Sequence, residues 1–148
     1  MNSMDTLLVG IASDHAGYEL KEHLKSFLAD KLFGLRGFGT FSEASVDYPD
    51  FIHPLAKAVA ESQVDFGIAI CGSGNGVSIV ANKHKGVRAA LCWKDEIAIL
   101  ARKHNDANII SLPARYISEV LAEEMVESFL TTDFEGGRHC ARVAKIDE

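Results

Sequence analysis

A glycine-rich loop that begins with a cysteine is the segment of this sequence with the clearest chemistry. Residues 71–76 (CGSGNG) follow a short apolar run and carry glycine at every second position. Glycines at this spacing allow a tight turn whose backbone N–H groups converge, which favours an anion or a developing oxyanion. A cysteine at the edge of such a loop is favoured as a reactive thiolate. The alternative is a tight strand-to-helix turn with a buried structural cysteine.

The same loop departs from three phosphate-binding patterns that it partly matches. The dinucleotide-binding pattern GxGxxG needs its third glycine one residue later than Gly76. The loop of phosphotyrosine phosphatases needs an arginine six residues after its cysteine, where this chain has Val77. No GK[ST] follows, so the segment is not a P-loop. These differences disfavour nucleotide binding and leave the cysteine as the distinctive group.

Two further segments carry a histidine beside another polar side chain. His104 and Asn105 end a predicted helix, where a histidine either acts as an acid–base group near neutral pH or caps the last carbonyl groups. Asp14 and His15 follow the first predicted strand, where they are either site residues or a helix N-cap and a loop residue. Residues 47–49 (DYP) are compatible with a simple turn. Each segment alone leaves both interpretations open.

Arg138 and Arg142 are four residues apart near the C-terminus. If this segment is helical, both guanidinium groups share a face and could bind one phosphate group. The alternative is a solvated basic face near a chain end. The six histidines form no HxxxH or HxH pair and no zinc-type cluster with cysteine. The spacing therefore predicts no metal site.

Short apolar runs alternate with amphipathic segments along the chain, and no repeat or linker divides it. Such runs are typical of buried parallel strands, whereas apolar residues at spacing three or four are typical of helices. The alternation predicts one doubly wound, Rossmann-like α/β domain, with a mostly parallel sheet of about five strands and helices on both faces. Trp93 and the phenylalanines are expected in its core. The predicted strands cover residues 7–12, 33–41, 66–71, 87–92 and 108–113, and the predicted helices lie near 20–28, 51–62, 77–83, 93–104 and 117–129.

This architecture places the polar segments at one edge of the sheet. In open parallel sheets, ligands bind beyond the carboxyl ends of the strands. Asp14 and His15 follow the first strand, Asp47 and Tyr48 follow the second, and residues 71–76 follow the third. The sequence therefore predicts a single site at the carboxyl edge.

Composition excludes several classes of protein. The chain has 148 residues, enough for a single domain, and a formal net charge of −6, which disfavours a nucleic-acid partner. Its three cysteines form no CxxC pair, which suggests a reducing compartment. Asp5 precedes the first apolar run without a basic segment, so no signal peptide is expected. No apolar run approaches the roughly 20 residues that span a bilayer. We expect a cytoplasmic protein without membrane contacts.

Taken together, the motifs resemble the ribose-5-phosphate isomerase B family, which also includes galactose-6-phosphate isomerase. The resemblance covers nearly the whole chain. It rests on residues 13–17 (SDHAG), 47–49 (DYP), 71–76 (CGSGNG), 82–83 (NK), 103–108 (KHNDAN), 114–115 (AR) and 136–139 (GGRH), with Arg142.

The resemblance implies that an aldose and a ketose phosphate are interconverted without metal or cofactor. It implies that Cys71 is the base. Some members use a carboxylate a few residues later, but no acidic residue lies between Cys71 and Asp95 here. Ser73 corresponds to a hydroxyl that hydrogen-bonds near the reacting carbons, and His104, assisted by Asp14, corresponds to the ring-opening acid. The remaining matches imply an anion hole at Gly74, Asn75 and Gly76 beside Gly72, sugar contacts at Asp47, Tyr48 and Asn105, and phosphate contacts at His15, Arg115, Arg138 and Arg142.

The resemblance leaves the substrate and the assembly to be determined. The leading expectation is ribose 5-phosphate and ribulose 5-phosphate, in the non-oxidative pentose phosphate pathway, because residues 14–17 (DHAG) are closest to the ribose enzymes. The alternatives are a hexose 6-phosphate, either allose or galactose, and a non-catalytic module that binds sugar phosphates. The family implies a homodimer or tetramer with a shared active site. Residues 132–148 are expected to form a tail that packs on a partner subunit.

Overall fold

The computed structural model describes residues 6–148, and a parallel sheet organises them. Its five strands lie in the order β2-β1-β3-β5-β4, and every neighbouring pair is parallel. The predicted doubly wound α/β fold is therefore confirmed. The strands are β1 (Leu8–Ser13), β2 (Gly34–Gly37), β3 (Phe66–Cys71), β4 (Ala89–Leu91) and β5 (Ile109–Pro113). The helices are α1 (Tyr18–Asp30), α2 (Pro49–Ala60), α3 (Asn75–Ala81), α4 (Asp95–Asn105), α5 (Glu119–Thr131) and α6 (His139–Ala144). Asp5, on which the expectation of no signal peptide depends, lies outside the described residues.

Helices cover both faces of the sheet and create two apolar cores. On one face, α1, α4 and α5 bury residues such as Leu24, Met125 and Phe129 against the strands. On the other face, α2 and α3 bury residues such as Leu55 and Val77. The central strands are covered on both sides, which explains their nearly continuous apolar sequences. This sandwich fixes the carboxyl ends of the strands relative to one another.

The second strand is shorter than the expected residues 33–41. Regular pairing with β1 ends at Gly37, although the chain still donates from Phe38 to the Ile11 carbonyl and from Thr40 to the Ser13 carbonyl. Gly39 has a φ of +98°, a conformation outside the β region that glycine adopts easily. The chain therefore continues beside β1 without forming a regular strand.

Two aromatic side chains are not in the core, contrary to expectation. Trp93 is 51% exposed and Phe41 is 76% exposed. Trp93 precedes α4, which begins only at Asp95 with Lys94 as its N-cap, so its side chain does not belong to the apolar stripe of that helix. Phe41 lies in the irregular segment after β2.

Among the helices within residues 6–148, none combines the length and apolar character that crossing a membrane requires.

The C-terminal segment packs on α4 of its own chain and contains the short helix α6. The Glu135 N–H donates to the Lys103 carbonyl at 3.0 Å, and Asp147 accepts from the Gly86 N–H at 2.9 Å. The His139 ring lies against His104, with ring centroids 4.3 Å apart and planes inclined by 14°. These contacts place α6 beside the C-terminal end of α4.

Candidate active site

A cavity of about 360 Å³ opens at the carboxyl edge of the sheet, where β1, β3 and β5 end. Most of the residues that the sequence assigns to the first three strand ends meet there, because parallel strands end at the same edge. Tyr116, which the sequence analysis did not identify, adds an aromatic ring that is 78% exposed. The cavity is lined by Asp14, His15, Ala16, Tyr48, Cys71, Gly72, Ser73, Gly76, Arg115 and Tyr116.

Cys71 ends β3 and is only 6% exposed, although it lines the cavity. Its Sγ accepts a hydrogen bond from the Gly74 N–H at 3.2 Å. Gly74 has a φ of +76°, and a Cβ there would lie 2.4 Å from the Leu91 side chain. Only glycine therefore fits this turn, and the turn holds a backbone donor against the sulfur.

The three backbone amides of the expected anion hole are not equivalent. The Gly74 N–H is directed to Cys71, and the Asn75 N–H donates to the Ser73 hydroxyl oxygen at 3.2 Å. Gly76 lines the cavity directly. A Cβ on Gly76 would lie 2.6 Å from the ring of Tyr48, so that ring lies directly over the backbone of the loop.

Asp14 and His15 both lie on the cavity wall, and each is fixed by a backbone group. Asp14 is 8% exposed, and its Oδ1 accepts from the Gly17 N–H at 3.1 Å. The Val46 N–H donates to Nδ1 of His15 at 3.2 Å. Because Nδ1 is the acceptor, the proton of the neutral imidazole lies on Nε2, which makes Nε2–H a donor. The bond from Val46 therefore fixes the His15 ring and leaves an N–H donor on its other nitrogen.

Arg115 provides the positive charge of this edge. Its backbone N–H donates to the Gly72 carbonyl at 3.0 Å, and its guanidinium lies across Gly72, where an added Cβ would be 3.0 Å from Nη1. Within residues 6–148, no carboxylate forms a salt bridge with Arg115. His15 and Arg115 also line an adjacent concavity, together with Glu19 and Glu43. An anion between His15 and Arg115 would meet a donor from each.

Asp47 is exposed and does not line the cavity, although its neighbour Tyr48 does. The Asp47 carbonyl accepts from the Asp50 N–H at 3.2 Å, at the start of α2. Asp47, a residue of the expected sugar site, therefore lies just before the N-terminus of α2.

His104, Asn105, Arg138 and Arg142 do not line the cavity either. The topology explains why, because α4 runs back from the carboxyl edge of the sheet to its amino edge. After α4, β5 begins at Ile109, which pairs with Gly67 near the start of β3, whereas Pro113 pairs with Cys71. The strand between these two pairs spans about 13 Å at about 3.3 Å per residue. His104 therefore lies at the edge opposite to Cys71 of the same chain.

At the amino edge, the side chains around His139 form a cluster of their own. His139 is 7% exposed, stacks on His104 and lies 3.6 Å from a carboxylate oxygen of Glu135. Burial and the nearby charges of His104 and Arg138 hold the pKa of His139 below its usual value. The Arg142 guanidinium donates to the backbone carbonyl of Arg138, the N-cap of α6, at 3.2 Å. Sequence reasoning missed Glu135 and His139, because the irregular turn before α6 that brings them together is not encoded in a helical spacing.

A parallel α/β fold with a cavity at the carboxyl ends of its strands, lined by a buried thiol, a glycine loop and an arginine, has the arrangement typical of a site for a small ligand. Residues 9–146 match the family described as Ribose/Galactose Isomerase, and the chain belongs to that family of aldose–ketose isomerases.

Similar proteins agree with this assignment over almost the whole chain. The ribose-5-phosphate isomerase B of Escherichia coli is 39% identical over 138 residues, which are 93% of each chain. The crystal structure of a ribose 5-phosphate isomerase from Thermotoga maritima is 48% identical and superposes with a TM-score of 0.95, covering 97% of this chain and 99% of that one. The Mycoplasma genitalium ribose-5-phosphate isomerase B with bound ribulose-5-phosphate is 42% identical, with a TM-score of 0.90 and coverage of 95% and 93%.

Proposed function

We propose that this enzyme interconverts ribose 5-phosphate and ribulose 5-phosphate, as a step of the non-oxidative pentose phosphate pathway, with the Cys71 thiolate as the base. The observation that carries the proposal is the cavity at the carboxyl edge, where Cys71 and Ser73 lie beside the anion-binding pair of His15 and Arg115. The Mycoplasma genitalium relative with bound ribulose-5-phosphate supports a five-carbon substrate.

The chemistry requires an open-chain sugar and one proton acceptor close to its C2. The Cys71 thiolate takes the C2 proton, the electron pair of the C–H bond forms the C1–C2 double bond, and the π pair of the C1 carbonyl moves to its oxygen, which gives an enediolate. The proton then returns from the thiol to C1, while the C2 hydroxyl loses its proton and becomes the ketone. Ser73 lies on the cavity wall, where its hydroxyl can transfer a proton between the two sugar oxygens. A positioned base of this kind typically contributes about 10²–10⁴-fold to the rate.

The phosphate group is expected between His15 and Arg115, which line both the cavity and the adjacent concavity. Nε2–H of His15 and the guanidinium of Arg115 supply donors from the cavity wall. Arg138 and Arg142 would complete the phosphate site, with the Arg142 guanidinium turning away from the Arg138 carbonyl that it contacts here. Asn105 would hold a sugar oxygen, and His104, with Asp14, would protonate the ring oxygen when the furanose opens.

We propose that the groups at the amino edge reach this site from a second copy of the chain. His104, Asn105, Arg138 and Arg142 lie at the amino edge, whereas Cys71 lies at the carboxyl edge. We infer a homodimer, or a dimer of dimers, in which each active site joins the carboxyl edge of one subunit to α4 and residues 132–148 of the other. A two-fold axis then forms two identical sites per dimer.

The direct test is an assay of ribose 5-phosphate isomerisation in the presence of a chelator. We expect turnover with kcat/KM higher for ribose 5-phosphate than for allose 6-phosphate or galactose 6-phosphate. A clear preference for a hexose phosphate would replace the proposed substrate, and a loss of activity with the chelator would contradict a mechanism without metal.

A second experiment separates an enzyme from a module that only binds sugar phosphates. Cys71→Ala should abolish isomerisation but bind ribose 5-phosphate in calorimetry with nearly the affinity of the unmodified protein. Cys92→Ala is the matched control, because Cys92 is buried away from the cavity. Full activity of Cys71→Ala would remove this residue from the mechanism.

A further inference from the structure

We propose that His104, Glu135 and His139 form a binding site for a divalent transition metal such as Zn²⁺, and that occupation of this site inhibits the enzyme. The potential ligand atoms of the three side chains all lie within 4.8 Å of one another. The inhibitory part rests on the proposed function, because it requires His104 to be the ring-opening acid. The binding part requires only the geometry of these side chains.

The donor set is suited to a metal of this kind. Zn²⁺ prefers imidazole nitrogen and carboxylate oxygen at about 2.0–2.2 Å, and three protein ligands leave a fourth position for water or another ligand. In four-coordinate geometry at these bond lengths, the ligand atoms are closer to one another than the 4.8 Å within which the three atoms lie here. His104 is half-buried and Glu135 is exposed, so both side chains have room to rotate. His104 has to turn out of its parallel stack on His139, because an imidazole coordinates a metal in the plane of its ring.

His139 gives the second, independent observation. Its Nε2 is buried and has no hydrogen-bond partner among the described residues, since the Glu135 carboxylate is 3.6 Å away. A buried polar atom without a partner is unfavourable, and such atoms often mark an unfilled ligand position. A metal ion between the two side chains would satisfy the nitrogen and replace the long contact with two coordination bonds.

The backbone around the cluster is held in place. The Glu135 N–H is bonded to the Lys103 carbonyl, next to His104, at 3.0 Å. Gly136 and Gly137 both have positive φ values and turn the chain directly into α6, which carries His139. His104 is near the end of α4, whereas Glu135 and His139 flank the turn between α5 and α6, which packs on α4, so binding would not require the helices to move apart.

Nearby positive charge limits the affinity. Arg138 and Arg142 lie on the same segment, and their guanidinium groups disfavour a second cation. Zn²⁺ would therefore bind more weakly here than in a closed structural site with four ligands. A bound ion would occupy a nitrogen of His104 and prevent that imidazole from protonating a sugar oxygen, so binding would lower the rate of ring opening.

The experiment compares Zn²⁺ binding and inhibition by Zn²⁺ between the unmodified chain and its variants. Each protein is first treated with a chelator, and the chelator is then removed. Calorimetry should give one Zn²⁺ per chain, and Co²⁺ should give visible absorption bands typical of a site with nitrogen and oxygen ligands. In Glu135→Gln we expect the Zn²⁺ affinity and the inhibitory effect of Zn²⁺ to fall about tenfold or more, since a ligand is lost. Activity without metal should stay unchanged.

A matched control is needed because a second histidine pair lies on the surface. Nδ1 of His53 and Nε2 of His84 are 2.7 Å apart and could also attract a metal. His84→Gln should leave Zn²⁺ binding and inhibition unchanged. Loss of binding in His84→Gln, or unchanged binding in Glu135→Gln, would overturn the proposed site.

The two parts of the proposal fail separately. Binding that depends on Glu135 in a protein without isomerase activity would refute the proposed function and leave the metal site intact. Binding that depends on Glu135 without inhibition of an active enzyme would refute the regulatory role.

Discussion

An active site divided between two subunits should be restored when two inactive variants are combined. Cys71→Ala removes the proposed base at the carboxyl edge, and His104→Ala removes the proposed acid at the amino edge. Each variant alone should lose about 10²-fold or more of its activity, because each lacks one acid–base group. In a mixed dimer, however, the intact Cys71 of one chain meets the intact His104 of the other. One of its two sites is then complete.

The expected activity follows from two-fold symmetry. With equal amounts of both variants and random pairing, half of the dimers are mixed, and each mixed dimer holds one complete site. The preparation should therefore recover about one quarter of the unmodified activity, since sites in a symmetric dimer are equivalent. This is far above the residual activity of either variant alone.

The assay is the isomerisation of ribose 5-phosphate after the two variants are co-expressed or refolded together. The double variant Cys71→Ala/His104→Ala, mixed with unmodified chain, is the control. It should give about one quarter of full activity when sites are shared, but about one half when each chain holds its own site. Activity of the mixed single variants that stays at the level of the separate ones would refute the shared site.

The remaining predictions concern the phosphate group, the thiols and pH. Arg142→Ala should raise KM for ribose 5-phosphate much more than it lowers kcat, because phosphate binding contributes about equally to the ground and transition states; an equal fall in kcat at constant KM in steady-state kinetics would contradict this. Burial raises the pKa of Cys92 to about 12, so an alkylating reagent should leave Cys92 intact in the folded protein, as read by mass spectrometry, and early modification of Cys92 would show that its surroundings open. Burial and the charge of His53 lower the pKa of His84, so the unfolded state takes up the proton first as pH falls, and stability is lost. Between about pH 7.5 and about pH 5.5, the Tm of His84→Gln should therefore fall less than the Tm of the unmodified protein. An equal fall in Tm would argue against this role of His84.

Much of the fold and one half of the site follow from local patterns. Each buried parallel strand is a short apolar run, and the polar residues that follow β1 and β3 must meet because the strands are parallel. The position of Cys71 beside Asp14 and His15 was predictable for this reason. The glycine pattern also indicated a tight turn over residues 71–76, in which Gly74 has a positive φ.

Other features depend on distances that periodicity does not encode. The regular part of β2 ends at Gly37, two residues before the positive φ of Gly39, so the run of residues 33–41 looked longer as a strand than it is. The cluster of His104, Glu135 and His139 joins segments that only the packing of α6 on α4 brings together. Trp93 is exposed because α4 starts two residues later than its apolar pattern indicates.

The placement of Cys71 and His104 at opposite edges of one chain has a consequence for how activity depends on protein concentration. Under the shared-site proposal, a dissociated subunit keeps its cores and its fold but holds no complete site. Specific activity should then decline on dilution below the dissociation constant of the dimer, while the circular dichroism of the helices stays constant. Well below that constant, the concentration of complete sites would rise with the square of the chain concentration. The amount of protein in a cell would then set both the number of chains and the fraction of them that hold a complete site.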